Sequence, residues 1–202
     1  MNTNTVTEKI MVVNKNKLIE NGFDDSTGFF TENVEIIIET VLSNYFFMER
    51  RLCETDPSYK QIIPYAIVKY ETNYLLLQRL AGQNEKRLHG MLSVGVGGHI
   101  NEREKNKSGD ILLNGLIREL EEEVTVERST APEFLGVLND ATNDVGSVHL
   151  GFVYKITADS EFFNINEPDK MTGRWVSIED LSRNYNEMES WSKLIIKSLT
   201  NR

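Results

Sequence analysis

The chain has 202 residues, 40% hydrophobic and 26% charged, enough to bury one sizeable core, so one domain with an extension is expected. Its 31 acidic against 22 basic residues give a formal charge of −9, which argues against long nucleic acid, itself a polyanion, as a partner. No stretch approaches the roughly 18 apolar residues of a membrane span, Met1 to Thr5 carry no basic start, and the single Cys53 can form no internal disulfide, so a cytoplasmic protein is expected.

Residues 1–62 read as an N-terminal extension packing on the catalytic domain. Lys9 to Val13 form a strand, and Val34, Ile37, Ile38, Val41, Leu42 and Tyr45 mark a helical stripe with Thr31 as its N-cap. Residues 63–202 form the catalytic domain. Pro64 to Tyr70 and Tyr74 to Arg79 are β-rich runs flanking a Glu71-Thr72-Asn73 turn. The glycines of Gly95-Val96-Gly97-Gly98 are not a dinucleotide fingerprint, because Ile100 stands where the third glycine is needed. Leu113, Leu116, Ile117, Leu120 and Val124 then follow the spacing of a buried helical stripe.

Phe134 to Leu138 and Val148 to Ile156 read as strands, and Arg174 to Ser177 as a last strand entering a helix at Ile178, with Ser177 and Asp180 at capping-box spacing. Glu187 to Leu199 closes the chain as an amphipathic helix carrying Trp191, Leu194, Ile195 and Leu199, serving either the core or a homodimer contact. The histidines at 89, 99 and 149 are too scattered to suggest a closely spaced zinc site, and His99 reads as a loop residue beside the glycine turn.

The chemistry concentrates in one helix. Glu119, Glu122 and Glu123 fall at i, i+3 and i+4 and share a face, roughly a third of a turn from the centre of the apolar stripe, at the rim of the core. Carboxylates crowded in this way repel one another, and a hard cation, Mg²⁺ or Mn²⁺, relieves the repulsion by accepting their oxygens. Arg79, Lys86 and Arg87 are candidate cations for binding an anionic substrate.

Together the glycine turn and Arg118-Glu119-Leu120-Glu121-Glu122-Glu123 resemble the Nudix hydrolase signature, a glycine, five residues, a glutamate, seven residues, then Arg-Glu-aliphatic-any-Glu-Glu-any-Gly-aliphatic. Arg118, Glu119, Leu120, Glu122, Glu123 and Val126 match its second half, while Thr125 replaces the last glycine. The first half carries a six-residue insertion between Glu102 and Ser108: counting back from Arg118 reaches Asp110, and counting forward from Gly98 reaches Glu104. The helical register favours Asp110 as the outlying carboxylate. Ser93 to Asn101 is similar to the glycine turn of a bacterial branch of predicted phosphoesterases within the family.

The resemblance spans about Ile63 to Leu181 and implies an α/β/α sandwich with a mixed sheet. It also implies a metal-dependent hydrolase that cleaves a diphosphate linkage in a nucleoside diphosphate derivative or related small molecule. Glu119, Glu122, Glu123 and Asp110, with a backbone carbonyl of Gly97 or Gly98, would hold the metal, and Arg118 would orient a neighbouring carboxylate. The general base would come from the signature or from a later loop, where Glu161 and Glu167 are candidates. The alternative is a catalytically silent Nudix-fold ligand-binding module. A diphosphate isomerase of the same fold would need a catalytic cysteine, and Cys53 lies outside the matching region.

Overall fold

The run from Ile62 to Val68, apolar at every position, becomes the middle of the longest strand, around which the other elements assemble. A computed structural model describes residues 7–80 and 90–200. In chain order the elements are β1 (Lys9–Asn14), α1 (Lys15–Glu20), β2 (Gly28–Phe30), α2 (Glu35–Asn44), β3 (Phe46–Glu49), α3 (Arg50–Cys53), β4 (Tyr59–Tyr70), β5 (Asn73–Arg79), β6 (Leu92–Ser93) and β7 (Val96–Gly97). They continue with α4 (Ile111–Glu123), β8 (Val124–Val126), β9 (Glu133–Asn139), α5 (Asp144–Ser147), β10 (His149–Thr157), β11 (Phe163–Ile165), β12 (Met171–Val176), α6 (Ile178–Arg183) and α7 (Ser190–Thr200).

The main sheet is mixed, in the order β12-β5-β4-β10-β9-β2. β4 runs parallel to β10 from Gln61 opposite His149 to Lys69 opposite Thr157. A strand flanked on both edges and covered on both faces has no polar side to present, which is why the β4 sequence is almost continuously apolar. Alternation along it feeds two cores. Ile62, Ala66 and Val68 meet Leu112, Leu116 and Leu120 of α4, whereas Tyr65 and Ile67 meet Leu181 of α6 and Ile195 and Ile196 of α7. The result is an α/β/α sandwich. Among the described residues no helix is long and apolar enough to cross a membrane.

The expected division at residue 62 falls inside β4, and the segment before it is woven into the sheet. β1 pairs with β3 and with the start of β4, β2 pairs with β9, and Met11, Val13, Leu18, Phe23, Val34 and Val41 share the core that α4 faces. The expected cap at Thr31 is also displaced. α2 starts after Val34, whose carbonyl accepts from the amides of Ile37 and Ile38, and Leu42 of the expected stripe is 38% exposed.

A buried cation holds this N-terminal weave. Lys60 Nζ, with no exposed surface, donates to Asn139 Oδ1 at 2.9 Å and Ser147 O at 2.8 Å and pairs with Asp25 Oδ1 at 3.0 Å. Asp25 also pairs with Lys15, and the two lysines hold its carboxyl below the usual carboxylate range against the opposing effect of burial. Replacing Asp25 with Ala should leave the Lys60 charge buried and uncompensated, at a cost of about 3 kcal/mol in chemical denaturation. The double variant Asp25→Ala/Lys60→Met should recover most of that loss; equal stability of the Asp25→Ala single variant and the parent would remove the ion pair from the account of the fold.

Candidate metal and substrate site

The site forms where α4 passes the glycine turn that follows β7. The helix begins at Asp110, whose carboxylate accepts from the amides of Leu112 at 2.8 Å and Leu113 at 3.4 Å. It faces the sheet with Leu112, Gly115, Leu116 and Leu120, an arc rotated from the expected stripe so that Leu113 and Ile117 are only half-buried. A Cβ on Gly115 would stand 2.8 Å from Ile100 Cγ1, so glycine lets the helix approach closely. At about 100° per residue, Glu119 and Glu123 lie within this same arc, and Glu122 lies off it. Glu119 and Glu123 therefore turn inward, whereas the Glu122 side chain is 53% exposed.

The inward acids are tolerated because the opposing backbone is glycine. A Cβ on Gly98 would fall on the Glu119 carboxylate, so Glu119 is seated directly against main chain. Arg118 ties helix and turn together. Its Nε donates to Glu104 Oε1 at 2.8 Å, its Nη1 meets Glu119 Oε1 at 2.7 Å and Glu122 Oε2 at 3.1 Å, and its Nη2 donates to the carbonyl of His99 at 2.5 Å. Glu104, completely buried, accepts from the Asn101 amide at 2.8 Å through its other oxygen.

These contacts correct the register read from the helix. Asp110 caps α4 and stands nine residues, about 13 Å of helical rise, from Glu119, so it is not in the carboxylate cluster. Glu104, on the 3₁₀ turn Glu102–Asn106, is the outlying acid bound to the arginine, and the insertion lies between it and the helix. Thr125 needs no glycine conformation, because the chain leaves α4 at Val124 in an extended conformation and enters β8.

Three further residues reach the cluster from distant parts of the chain. Arg79, at the end of β5, pairs through Nε with Glu189 Oε1 at 2.6 Å. β8 pairs with β11, and the Asn166 amide donates to the Glu123 carbonyl at 2.9 Å, which brings Glu167 beside Glu123; Glu167 also pairs with Lys170 at 2.5 Å. Glu161 contributes only its carbonyl, which accepts from Trp175 Nε1. Lys86 and Arg87 lie outside the described residues. Glu189 escaped the sequence reading, since nothing local ties it to a partner 110 positions away.

Burial pushes the Glu119 carboxyl up against the opposing pull of Arg118. Glu123 rises further, to about 7, chiefly by burial, with Arg79 opposing and Glu119, Glu167 and Glu189 adding repulsion. Among the described residues no hydrogen bond or ion pair reaches the Glu123 carboxylate. No three His, Cys, Asp or Glu side chains of the described residues converge on one point, because Glu119 and Glu122 are turned toward Arg118. The donor set is nonetheless one for a hard cation: carboxylate oxygens beside an open glycine backbone, one of them half-buried and, among the described residues, without a hydrogen-bond or ion-pair partner.

The NUDIX domain family model matches residues 63–199. Protein YmaB of Bacillus subtilis (strain 168) is 33% identical over 200 residues, covering 95% of this chain and 97% of its own. The crystal structure of Tm1382, a candidate Nudix hydrolase, superposes with a TM-score of 0.83 at 32% identity, over 96% of this chain and 99% of that one. The NUDIX domain of Shewanella oneidensis NrtR, crystallised with ADP ribose, shares the fold with a TM-score of 0.53 at 17% identity, over 71% and 88% of the two chains.

A raised carboxyl value makes the charged form a cost to the folded state. The contribution of Glu123 is thus fully present below its unfolded value of about 4.3 and is lost as pH rises through about 7. Metal-free protein should accordingly lose thermal stability between about pH 4 and 7. The Glu123→Gln variant should flatten that slope in a melting series, and an unaltered slope would show that Glu123 ionises elsewhere.

Proposed function

The chain belongs to the Nudix family and is an enzyme of the pyrophosphohydrolase type, and we propose that it hydrolyses a diphosphate linkage in a nucleoside diphosphate derivative or related small molecule, with Mg²⁺ or Mn²⁺ bound at the glycine turn. The observation that carries this reading is the Glu119 carboxylate seated against a backbone cleared of side chains at Gly98, with Glu123 one turn further along the same inward face of α4.

Glu119, Glu122 and Glu123, with a carbonyl of Gly97 or Gly98, would hold the cation. When bound, it supplies charge neutralisation at the phosphoryl oxygens and a more acidic water. Arg118 acts on the carboxylates rather than on substrate: fixed by Glu104 and by the His99 carbonyl, its guanidinium holds Glu119 and Glu122 at the turn by charge-assisted hydrogen bonds. Glu104 is therefore a positioning residue. Arg79, placed next to the acids by β5, offers positive charge for a polyphosphate, with Glu189 setting its direction.

Glu167 is the better of the two loop acids for accepting the proton of the attacking water, because it faces Glu123, whereas Glu161 contributes its carbonyl to Trp175. A reducing cytoplasm suits the buried free thiol of Cys53.

Two experiments test the site. In Mg²⁺-dependent product release from a panel of nucleoside triphosphates, dinucleotide polyphosphates, nucleotide sugars and ADP-ribose, Glu122→Gln and Glu123→Gln should each lower turnover by about 100-fold or more without lowering the melting temperature of the metal-free protein. Turnover unchanged in both would remove the metal-site assignment. Gly98→Ala should fold, displace Glu119 and weaken Mg²⁺ binding at least tenfold in a calorimetric titration; parental affinity would show that the turn does not form the site.

A further inference from the structure

Two histidines that stand 50 positions apart face each other on the other flank of the glycine turn. His99 Nε2 lies 3.4 Å from His149 Nε2 and 2.7 Å from Gln61 Oε1, and the two rings approach with centroids 5.5 Å apart. The three residues come from separate elements held in register. Gln61 of β4 is directly opposite His149, the first residue of parallel β10, and His99 reaches them from the turn. Neither side chain takes part in the diphosphate chemistry proposed above, although the His99 backbone carries the carbonyl that Arg118 binds.

We propose that His99 Nε2, His149 Nε2 and Gln61 Oε1 form a second metal site, selective for a borderline-soft divalent ion such as Zn²⁺ and distinct from the carboxylate site for Mg²⁺. The spacing is the first argument. Two imidazole nitrogens bound to one tetrahedral ion at about 2.0–2.1 Å stand about 3.4 Å apart, the edge of the tetrahedron, and that edge is already present.

The hydrogen bonds around the rings are the second argument. His149 Nδ1 lies 2.6 Å from the carbonyl of Val145, which keeps the proton on Nδ1 in the neutral ring and presents Nε2 as the donor atom. The Gln61 amide is oriented by its Nε2, which donates to the Cys53 carbonyl at 3.0 Å and so leaves Oε1 on the His99 Nε2. In the metal-free protein one hydrogen on His99 Nε2 serves this convergence of acceptors. On ion binding that hydrogen leaves Nε2 and Nδ1 takes one up, so both rings remain neutral and no net proton is released.

Charge and ligand type complete the case. The guanidiniums whose charge reaches His99 are those of Arg50 and Arg118. The two guanidiniums are themselves compensated, Arg50 by Glu8 and Glu54 and Arg118 by its carboxylates, which limits the field opposing a cation. Imidazole nitrogen favours Zn²⁺ over Mg²⁺, whereas the acids near Gly98 have the reverse preference, so one backbone turn separates two ions by ligand softness. Such an ion would pin the turn to the parallel strand pair at the centre of the sheet.

The test uses tag-free, metal-stripped full-length chain, titrated calorimetrically with Zn²⁺ in the presence of saturating Mg²⁺. One Zn²⁺ per chain is expected. His149→Ala should weaken it at least tenfold, and Glu122→Gln and Glu123→Gln should leave it within twofold. Long-range ¹H–¹⁵N spectra of the unmutated protein give a readout that does not depend on the variant folding: Zn²⁺ should shift Nε2 of His99 and His149 together. The proposal is overturned by absence of Zn²⁺ binding, by equal affinity in His149→Ala, by loss of binding in the glutamate variants, or by unshifted Nε2 resonances.

Discussion

The Arg118 guanidinium, fixed on one side by a fully buried Glu104 and the His99 carbonyl, is the constraint on which the geometry of the site depends. It joins three segments through one side chain: the glycine turn, the 3₁₀ turn and the helix α4. Its cost is the desolvation of an ion pair, which is repaid only when nearly every donor of the fork is used. Here Nε, Nη1 and Nη2 all have partners. Because two of those partners, Glu119 and Glu122, are the carboxylates assigned to the cation, the same guanidinium that builds the site also holds its acids in the metal-free state.

Around that centre the fold places opposite tendencies side by side. The arc of α4 that should carry only apolar residues carries Glu119 and Glu123, and the backbone opposite Glu119 has no side chain at Gly98. Space left by a missing Cβ is thus occupied by carboxylate oxygen, and burial raises the cost of its charge. Acids so placed repel one another, and that repulsion is what the proposed divalent cation would relieve. Arg79, Glu167 and Glu189 enlarge this balanced field from three different segments, so the site is a product of the sheet order rather than of the signature alone.

The N-terminal residues take part in the same logic. β1 contributes an edge to β4, and the amide of Met11 donates to the carbonyl of Ile100 at 2.8 Å, just past the glycine turn. The segment is therefore a support for the turn. Lys60 and Asp25 lock it from the far side through an ion pair that sequence separation hides.

By itself the sequence determined the longer strands, because apolar periodicity and turn residues are local properties, while the sandwich followed from the resemblance to the family and the short strands carried too few residues to show a period. β4, β5, β9 and β10 lie within a few residues of where alternation puts them, and Ser177 caps α6 as its spacing with Asp180 requires. It also determined which helix carries the acids, since i, i+3 and i+4 spacing is independent of surroundings. Only the tertiary structure decided how that helix is rotated, which of Glu104 and Asp110 meets Arg118, and which distant acids join Glu123. Those choices turn on contacts between residues far apart in the chain, such as Gly98 with Glu119 and Arg79 with Glu189, where close packing and burial, not local pattern, set the energy.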